Sequence, residues 1–524
     1  MALRRSIGIT GLTFIGIGGV LGSGWLFAPM LAVHHAGPAA IVAWLIGGFA
    51  ILLIALPFAE VTGCLPEAGA IARVPHYSHG SATSMLIGWS AWIGYATQAP
   101  IETLAMIRYV APLVPELDLS VGKMTTDDLS LRGYLVVGGI LLLMTVINVL
   151  GVTWLNKANA IMTTVKIVVP AIVVLTFVSM DFRIANFTEF GGFAPMGIAG
   201  IFSAVSVGGI VFALLGFRHI VDLAGEAERP QITIPAALFL TVGLCFLIYV
   251  LIQIAFVGAM PPDRLADGWA KVEFAHHLGP LAGIATVIGI SWLIALLYGA
   301  AIIGPLGAGL VSTGSNARLG LALSLNGFFP SFFNRISQRG VPIYALILTF
   351  FAGLVLLMFP FEELVALNSS SIVLSLCIGP LAVVALRRSL PDQPRPIRLP
   401  MVWFVGLFAF IVATYIIYWS GWSTIWRLDA ALVLGLLLYR IKLLFQPVDD
   451  PLNWRAARWL LVYILCLTVI SYLGNFGGGI GVLPIGFDMV AIALVGLVCF
   501  ELGLRDALPR ERTQELVDAA LEGP

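Results

Sequence analysis

The stretch Gly16-Ile17-Gly18-Gly19-Val20-Leu21-Gly22-Ser23-Gly24-Trp25-Leu26-Phe27 (residues 16–27) lies inside a long apolar run near the N-terminus. Between Gly16 and Gly24, six of nine positions are Gly or Ser. Glycine costs roughly 0.5–1 kcal/mol relative to alanine inside a helix, so this run marks a break in a helix that its flanks would otherwise continue. A second apolar run is interrupted in the same way. It reads VGGIVFALLGFRHIVDLAGEAERP (residues 207–230), with Gly208, Gly209 and Gly216 and a cation, Arg218, in apolar surroundings. Small residues also serve tight helix–helix packing, and glycine alone does not separate the two readings.

The composition around these runs requires lipid as the main solvent. Of 524 residues, 59% are apolar and 11% are charged, and the mean hydropathy is +1.00. A soluble chain carries about 25% charged residues, so a large soluble enzyme is excluded, and so is a disordered chain. One span needs about 20 apolar residues. That rule places fourteen spans, at 10–32, 39–64, 84–113, 133–152, 158–180, 200–225, 234–259, 280–313, 341–359, 363–387, 401–420, 426–446, 457–473 and 483–504. The segments are too uniformly apolar for barrel strands, so the fold class is an all-α polytopic membrane protein. The first run is long and glycine-interrupted, lacks a cleavage site and leads into a second span, which argues against a signal peptide.

Charge sets the orientation. Of the 28 Lys and Arg residues, only Lys123, Arg132, Arg183, Arg264, Lys271 and Arg427 fall on the side opposite the termini, and Arg108, Lys166 and Arg218 lie within spans. The excess on the termini's side predicts that both termini are cytoplasmic. The loops 114–132 and 260–279 then face outward, and the tail 505–524 is a short cytoplasmic helix or disordered. Net charge is zero, which gives no basic field for nucleic acid. Cys64, Cys245, Cys377, Cys466 and Cys499 are scattered through apolar stretches and read as buried thiols without a disulfide framework or zinc site. His34–His35 and His276–His277 are adjacent and lack the i, i+4 spacing of a helical metal site, so no metal and no cofactor are expected. The absence of GxxxxGK[ST], HExxH and GxSxG patterns argues against ATP coupling through this chain and against protease or hydrolase chemistry.

Four stretches together resemble the amino acid–polyamine–organocation (APC) superfamily of secondary transporters. GVLGSGWLF (19–27 with Gly19 leading) is similar to the family's first-span G-x-x-G-S/T-G-I-F. Residues 37–69, GPAAIVAWLIGGFAILLIALPFAEVTGCLPEAG, are similar to its second span, with Glu60 and the Pro66–Gly69 turn. GFRHIVDLAGEAERPQITIP resembles the sixth-span exit. ARLGLALSLNGFFPSFFNRISQRGVPIYALIL resembles the loop after the eighth span, with Arg318, Gly327, Pro330 and Pro342 in register. The match extends over roughly residues 8–390. The resemblance implies a five-plus-five inverted-repeat core with helices 1 and 6 broken at the midplane. Domains follow as a transport core at 1–390, peripheral spans 11–14 at 391–504 and a cytoplasmic tail at 505–524. An acid usually follows the sixth-span G-F pair in the superfamily. Here Arg218 and His219 stand there, which resembles a bacterial subgroup of aspartate:proton symporters.

In this architecture half-helix N-termini offer N–H groups to a carboxylate, and freed carbonyls accept from an ammonium. The expected substrate-binding residues are Val20, Gly22, Ser23 and Gly24 of the first break, Tyr95 and Gln98 of the third span, and Phe212, Ala213, Leu215, Gly216 and Arg218 of the sixth. Phe212 is placed like the family's aromatic gate, with core packing as the equal alternative. Arg218 either clamps a side-chain carboxylate, pairs with an internal acid such as Glu102, or gates. Lys166, mid-span in TTVKIVVP, sits where many family members carry a lysine that replaces sodium and links the first span to the eighth. It and His219 are the proton-coupling candidates, against snorkelling for the lysine and a buried neutral ring for the histidine. Glu102, with Arg108, is expected toward the outer end as a structural or gating residue. Asp222 and Glu226 are expected to organise an inner gate with nearby arginines. Ser312 and Thr313 are minor lining candidates, and Trp25 and Trp292 read as packing residues.

The reading that follows is proton-coupled import of an amino acid, acidic by preference (aspartate or glutamate), in a bacterial inner membrane. Its partners are the amino acid, protons and the lipid bilayer, with no nucleic acid. A symporter for neutral amino acids or an exchanger is the alternative within the class, and a non-transporting amino-acid sensor the alternative outside it.

Overall fold

A computed structural model of the chain describes residues 5–111, 130–150, 152–274, 279–395, 397–447 and 452–522. Most of the outer loop expected at 114–132, with Lys123, and the pair His276–His277 lie outside the described residues. Regular structure among the described residues is helical, with one isolated parallel bridge between Ile7 and Ala227.

The first run folds as α1 (Ile9–Val20) and α2 (Gly24–Ala36), separated at Leu21–Ser23. The chain continues through α3 (Ala40–Cys64), α4 (Ala70–Val110), α5 (Leu131–Val149) and α6 (Val152–Met180). The second interrupted run forms α7 (Gly197–Ser206), α8 (Ile210–Leu214), a single 3₁₀ turn and α9 (Arg218–Asp222). Then follow α10 (Pro230–Gly258), α11 (Pro280–Ile288) and α12 (Ser291–Leu325). The remainder is α13 (Ile343–Leu356), α14 (Phe361–Leu376), α15 (Ile378–Ser389), α16 (Val402–Trp419), α17 (Trp422–Phe445), α18 (Arg458–Leu473), α19 (Phe487–Asp506) and α20 (Arg510–Glu522).

Among the described residues, eight helical segments are long and apolar enough to cross a membrane, and nine if α7 with α8–α9, bent by 40°, counts as one. Their outward faces carry Phe49, Leu175 and Phe408 at 67%, 70% and 58% exposure, which a protein tolerates only against lipid. Inside, buried ionic side chains such as Glu60, Glu102, Lys166 and Arg318 are held by hydrogen bonds from or to neighbouring elements.

Two expected boundaries are corrected. The span expected at 280–313 is two helices: Gly289 adopts φ 84°, a left-handed cap that ends α11, and α12 restarts at Ser291 and runs on to Leu325. The span expected to start at 84 begins at Ala70, because α4 bends at Gly80 (φ 78°) and joins a short helix to the long one. The tail, left open between helix and disorder, is helix α20, tied down where Thr513 Oγ1 donates to Tyr77 O (3.1 Å).

The placement of the breaks follows from packing. α1 lies against α10, α6 and α12, and its C-terminal part meets the 3₁₀ turn of residues 215–217. α4 packs on both α12 and α14 and delivers its middle turns to the same region.

Candidate functional site: two helix breaks facing each other

A broken helix exposes carbonyls at the end of its first half and N–H groups at the start of its second. In the first break both sets are met by charges of the sign the helix dipoles favour. At the carbonyl end, Lys166 Nζ of α6 donates to Gly18 O (2.6 Å), and Tyr249 Oη of α10 donates to Val20 O (2.9 Å). At the N–H end, Ser23 N donates to Glu102 Oε2 of α4 (2.7 Å). A cation thus caps α1 and an anion caps α2. Lys166 also lies flush on α12, since a Cβ at Gly307 would fall 2.7 Å from its Nζ.

The second break touches the first through backbone. A Cβ on Gly216 would overlap the backbone of Gly19 and Val20, and one on Gly24 would come within 2.9 Å of the Ala213 Cβ. These glycines are required by close approach, not by turn geometry. Phe212, Ala213 and Leu215 are buried beside them.

From Glu102 a polar chain runs along α4. Gln98 Nε2 donates to Glu102 Oε1 (2.7 Å), and Gln98 Oε1 accepts from Arg218 Nη2 (3.1 Å) and from Asn368 Nδ2 (3.2 Å). The Arg218 guanidinium lies over the Tyr95 ring, 4.3 Å from its centroid, and the Tyr95 hydroxyl donates to Asp222 Oδ2. Arg218 is 1% exposed, yet its Nε and Nη1 have no acceptor in hydrogen-bonding geometry, and neither does Asp222 Oδ1 have a donor. Buried polar atoms normally find partners, so this layer holds open capacity for a group with both acceptor and donor atoms. His219 Nδ1 is bonded to Ser315 Oγ (2.9 Å). Below this layer, Arg318 bridges Glu226 (2.5 Å) and donates to Gly314 O (2.9 Å). Among the described residues no cluster of His, Cys, Asp and Glu has the makings of a metal site, and the five cysteines are free, four of them buried and Cys466 partly so.

Residues 7–438 match the family model for amino acid permeases. The chain belongs to the amino acid permease family. Across 99% of its length it is 34% identical to the glutamate/serine transporter AimA of Bacillus subtilis (strain 168), covering 96% of that protein. It is 33% identical to the aspartate-proton symporter of the same organism, over 97% of each chain. The branched-chain amino acid permease BcaP of that bacterium is 24% identical over 84% of this chain and 93% of its own. These relatives are membrane transporters, not enzymes.

In this permease the residues expected at the first and sixth spans, Val20, Gly22, Ser23, Gly24, Phe212, Ala213, Leu215, Gly216 and Arg218, come together with Tyr95, Gln98, Lys166 and His219 in one buried region. Glu102 requires a correction. It belongs to the first break and not to the outer end, because Gln98 and Glu102 sit one turn apart on the face of α4 that meets Ser23. Arg108, further along, lies over the Phe361 ring, 4.3 Å from its centroid. The Ser23 N–H, expected free for a substrate carboxylate, is occupied by Glu102 in this state. Asp222 is likewise drawn up to Tyr95, and Glu226 alone of the two acids pairs with an arginine. Ser312 Oγ reaches Tyr95 O (3.4 Å), and Thr313 bonds within its own helix to Gly309 O (2.7 Å). Trp25 is fully buried and Trp292 is exposed.

Sequence reasoning missed Asn368 of α14, which donates to Gly94 O (2.5 Å), Thr97 Oγ1 (3.0 Å) and Gln98 Oε1 and so fixes the register of α4. Its signal was a lone amide in the apolar run VALNSSSIVL. Tyr249 and Ser315 were missed as well. Glu60 was noted only as a motif residue. It accepts from Arg387 (2.7 and 2.5 Å) and from Leu399 N (2.8 Å), and Arg395 stands 3.4 Å away.

Proposed function

We propose that this permease imports an acidic amino acid, aspartate or glutamate, by proton symport with alternating access. The carrying observation is Arg218, a buried guanidinium with two unpartnered nitrogens, Nε and Nη1, beside the meeting point of the two helix breaks. A cation at that depth is costly unless an anion joins it, and a side-chain carboxylate can accept from one of these nitrogens together with the second N–H of Nη2, the two-point geometry that an arginine edge offers. The names of the two relatives that are 33–34% identical, one for glutamate and serine and one for aspartate and protons, support the same substrate class.

In this reading the substrate's α-carboxylate takes the N–H groups of Ser23 and Gly24, and its α-ammonium takes carbonyls near Val20 and from Ala213 to Gly216. Substrate carboxylate therefore replaces the Glu102 carboxylate at the start of α2. Lys166 holds the opposite half of the break and, with His219, links protonation to the geometry of α1. Phe212 gates the site from one side, and Asp222 and Glu226 from the other. The wider frame is a fourteen-span chain whose first 390 residues form a five-plus-five inverted repeat. Residues 391–504 are peripheral and 505–524 are a cytoplasmic tail, with both termini on the cytoplasmic side of the inner membrane.

Uptake into proteoliposomes tests the reading. Labelled aspartate should accumulate when the outside is acidic relative to the inside, unlabelled glutamate should compete, and replacing sodium with choline should change nothing. Flux that requires internal amino acid marks an exchanger, and binding without flux marks a sensor. Either result overturns proton-driven import. Serine uptake equal to aspartate uptake would overturn the acidic preference alone.

A further inference from the structure

Away from the helix breaks, α4 and α14 form the floor, and α13 and α17 the walls, of a groove with a volume of about 960 Å³. The floor is aromatic. Trp89 and Trp92 stack with centroids 5.3 Å apart, Phe329 stands edge-on to both, and Trp89 Nε1 is spent on Ala431 O (2.7 Å). The mouth residues Val355, Leu434 and Ile441 are exposed, so the groove opens sideways into the membrane. Water gains nothing from such a lining, and an empty space of this size would leave the packing of these four helices unsupported.

Its two ends differ in charge. Among the lining residues the sole carboxylate is Glu363 at one end, bridged to Arg427 (2.7 Å). At the other end stands Lys442, anchored to Gly327 O (3.0 Å) with donors left over, beside Gln446, whose amide oxygen accepts from Ser331 N (3.0 Å) and whose NH₂ group is left as a further donor. Arg427 and Lys442 are fifteen residues apart on α17, about 22 Å along the helix. Between them the lining is apolar. A cavity of about 150 Å³ holds the six carbons of benzene, so this one has room for about 40 carbons, two acyl chains of ordinary length.

We propose that this groove is a binding site for one anionic phospholipid, with both acyl chains along the aromatic floor and the headgroup phosphate on Lys442 and Gln446. The charge asymmetry selects the leaflet. The headgroup end is the end where α12 runs out at Asn326 and Arg73 joins it (2.5 Å), the side that also carries the residue 7–227 bridge. The site lies outside the helix breaks, so it stands or falls independently of the substrate assignment.

Native mass spectrometry of the full chain, released from nanodiscs made of phosphatidylglycerol, phosphatidylethanolamine and phosphatidylcholine in equal amounts, tests it. The expected spectrum shows one retained phospholipid, with phosphatidylglycerol preferred roughly fivefold, the usual weight of one lysine at an anionic surface. Lys442→Glu should bring the three lipids to parity. A groove-filling pair, Ala352→Trp with Leu434→Trp, should abolish retention in protein that elutes and melts like wild type. The unmodified protein's lipid ranking provides a readout that needs no variant. Retention of no lipid, equal retention of all three by wild type, or a preference unchanged in Lys442→Glu would overturn the proposal. A dimer mass that the groove-filling pair converts to monomer would assign the groove to a second copy of the chain instead.

Discussion

Arg218→Ala separates a substrate clamp from a structural arginine. In the structure the guanidinium makes one hydrogen bond, to Gln98 (3.1 Å), and covers Tyr95, while Nε and Nη1 bond to nothing. A bound side-chain carboxylate would add two charge-assisted hydrogen bonds, each worth about 1.5–3 kcal/mol net. Truncating one member of a buried charged pair costs about 2–5 kcal/mol, which brackets the same sum after part of it is offset by desolvating the ligand. A loss of about 3 kcal/mol is therefore expected, roughly a hundredfold in affinity for aspartate and glutamate. Serine and alanine carry no second carboxylate and should lose less than about fivefold. Arg218→Lys should fall between, since a point charge keeps the attraction and loses the fork. The assay is scintillation-proximity binding of labelled aspartate to purified protein, with competition by glutamate, serine and alanine. Equal losses for all four ligands would assign Arg218 to the scaffold, and unchanged aspartate affinity would remove it from the site.

Three other outcomes follow from the same geometry. Gly216→Ala places a Cβ in the backbone of Gly19 and Val20, an overpacking of about 1–3 kcal/mol, and should cut aspartate uptake at least tenfold; Gly243→Ala, with nothing within 4 Å, should transport like wild type. Glu60→Ala strands Arg387 and Arg395 and should cost about 3–5 kcal/mol, read as a melting temperature several degrees lower in detergent, and an unchanged melt would make the ion-pair cluster dispensable. Lys166→Ala removes the cation from Gly18 O, so gradient-driven accumulation should vanish; accumulation at the wild-type level would end the coupling role of this lysine.

The corrected position of Glu102 shows where legibility stopped. Gln98 and Glu102 were both visible as polar groups in an apolar span, and their one-turn spacing put them on a common face. Which neighbour that face meets was invisible, because the partner of Glu102 is a backbone N–H seventy-nine residues earlier. Asn368 was overlooked for the same reason: its acceptors lie in α4, 270 or more residues away.

What sequence alone determined is local chemistry and solvent. A chain with 11% charge needs lipid, runs of glycine interrupt helices, and Lys166 and Arg218 stand in apolar stretches where a cation demands a partner. Tertiary structure decided the partners: lysine on the carbonyl end of the first break, glutamate on its N–H end, arginine left with two free donors. The physical reason is that spans apolar on every face carry no stripe to say which side packs inward. Their rotation and neighbours are set by close contacts between glycines and by hydrogen bonds across distant helices, and those exist only after the chain has folded.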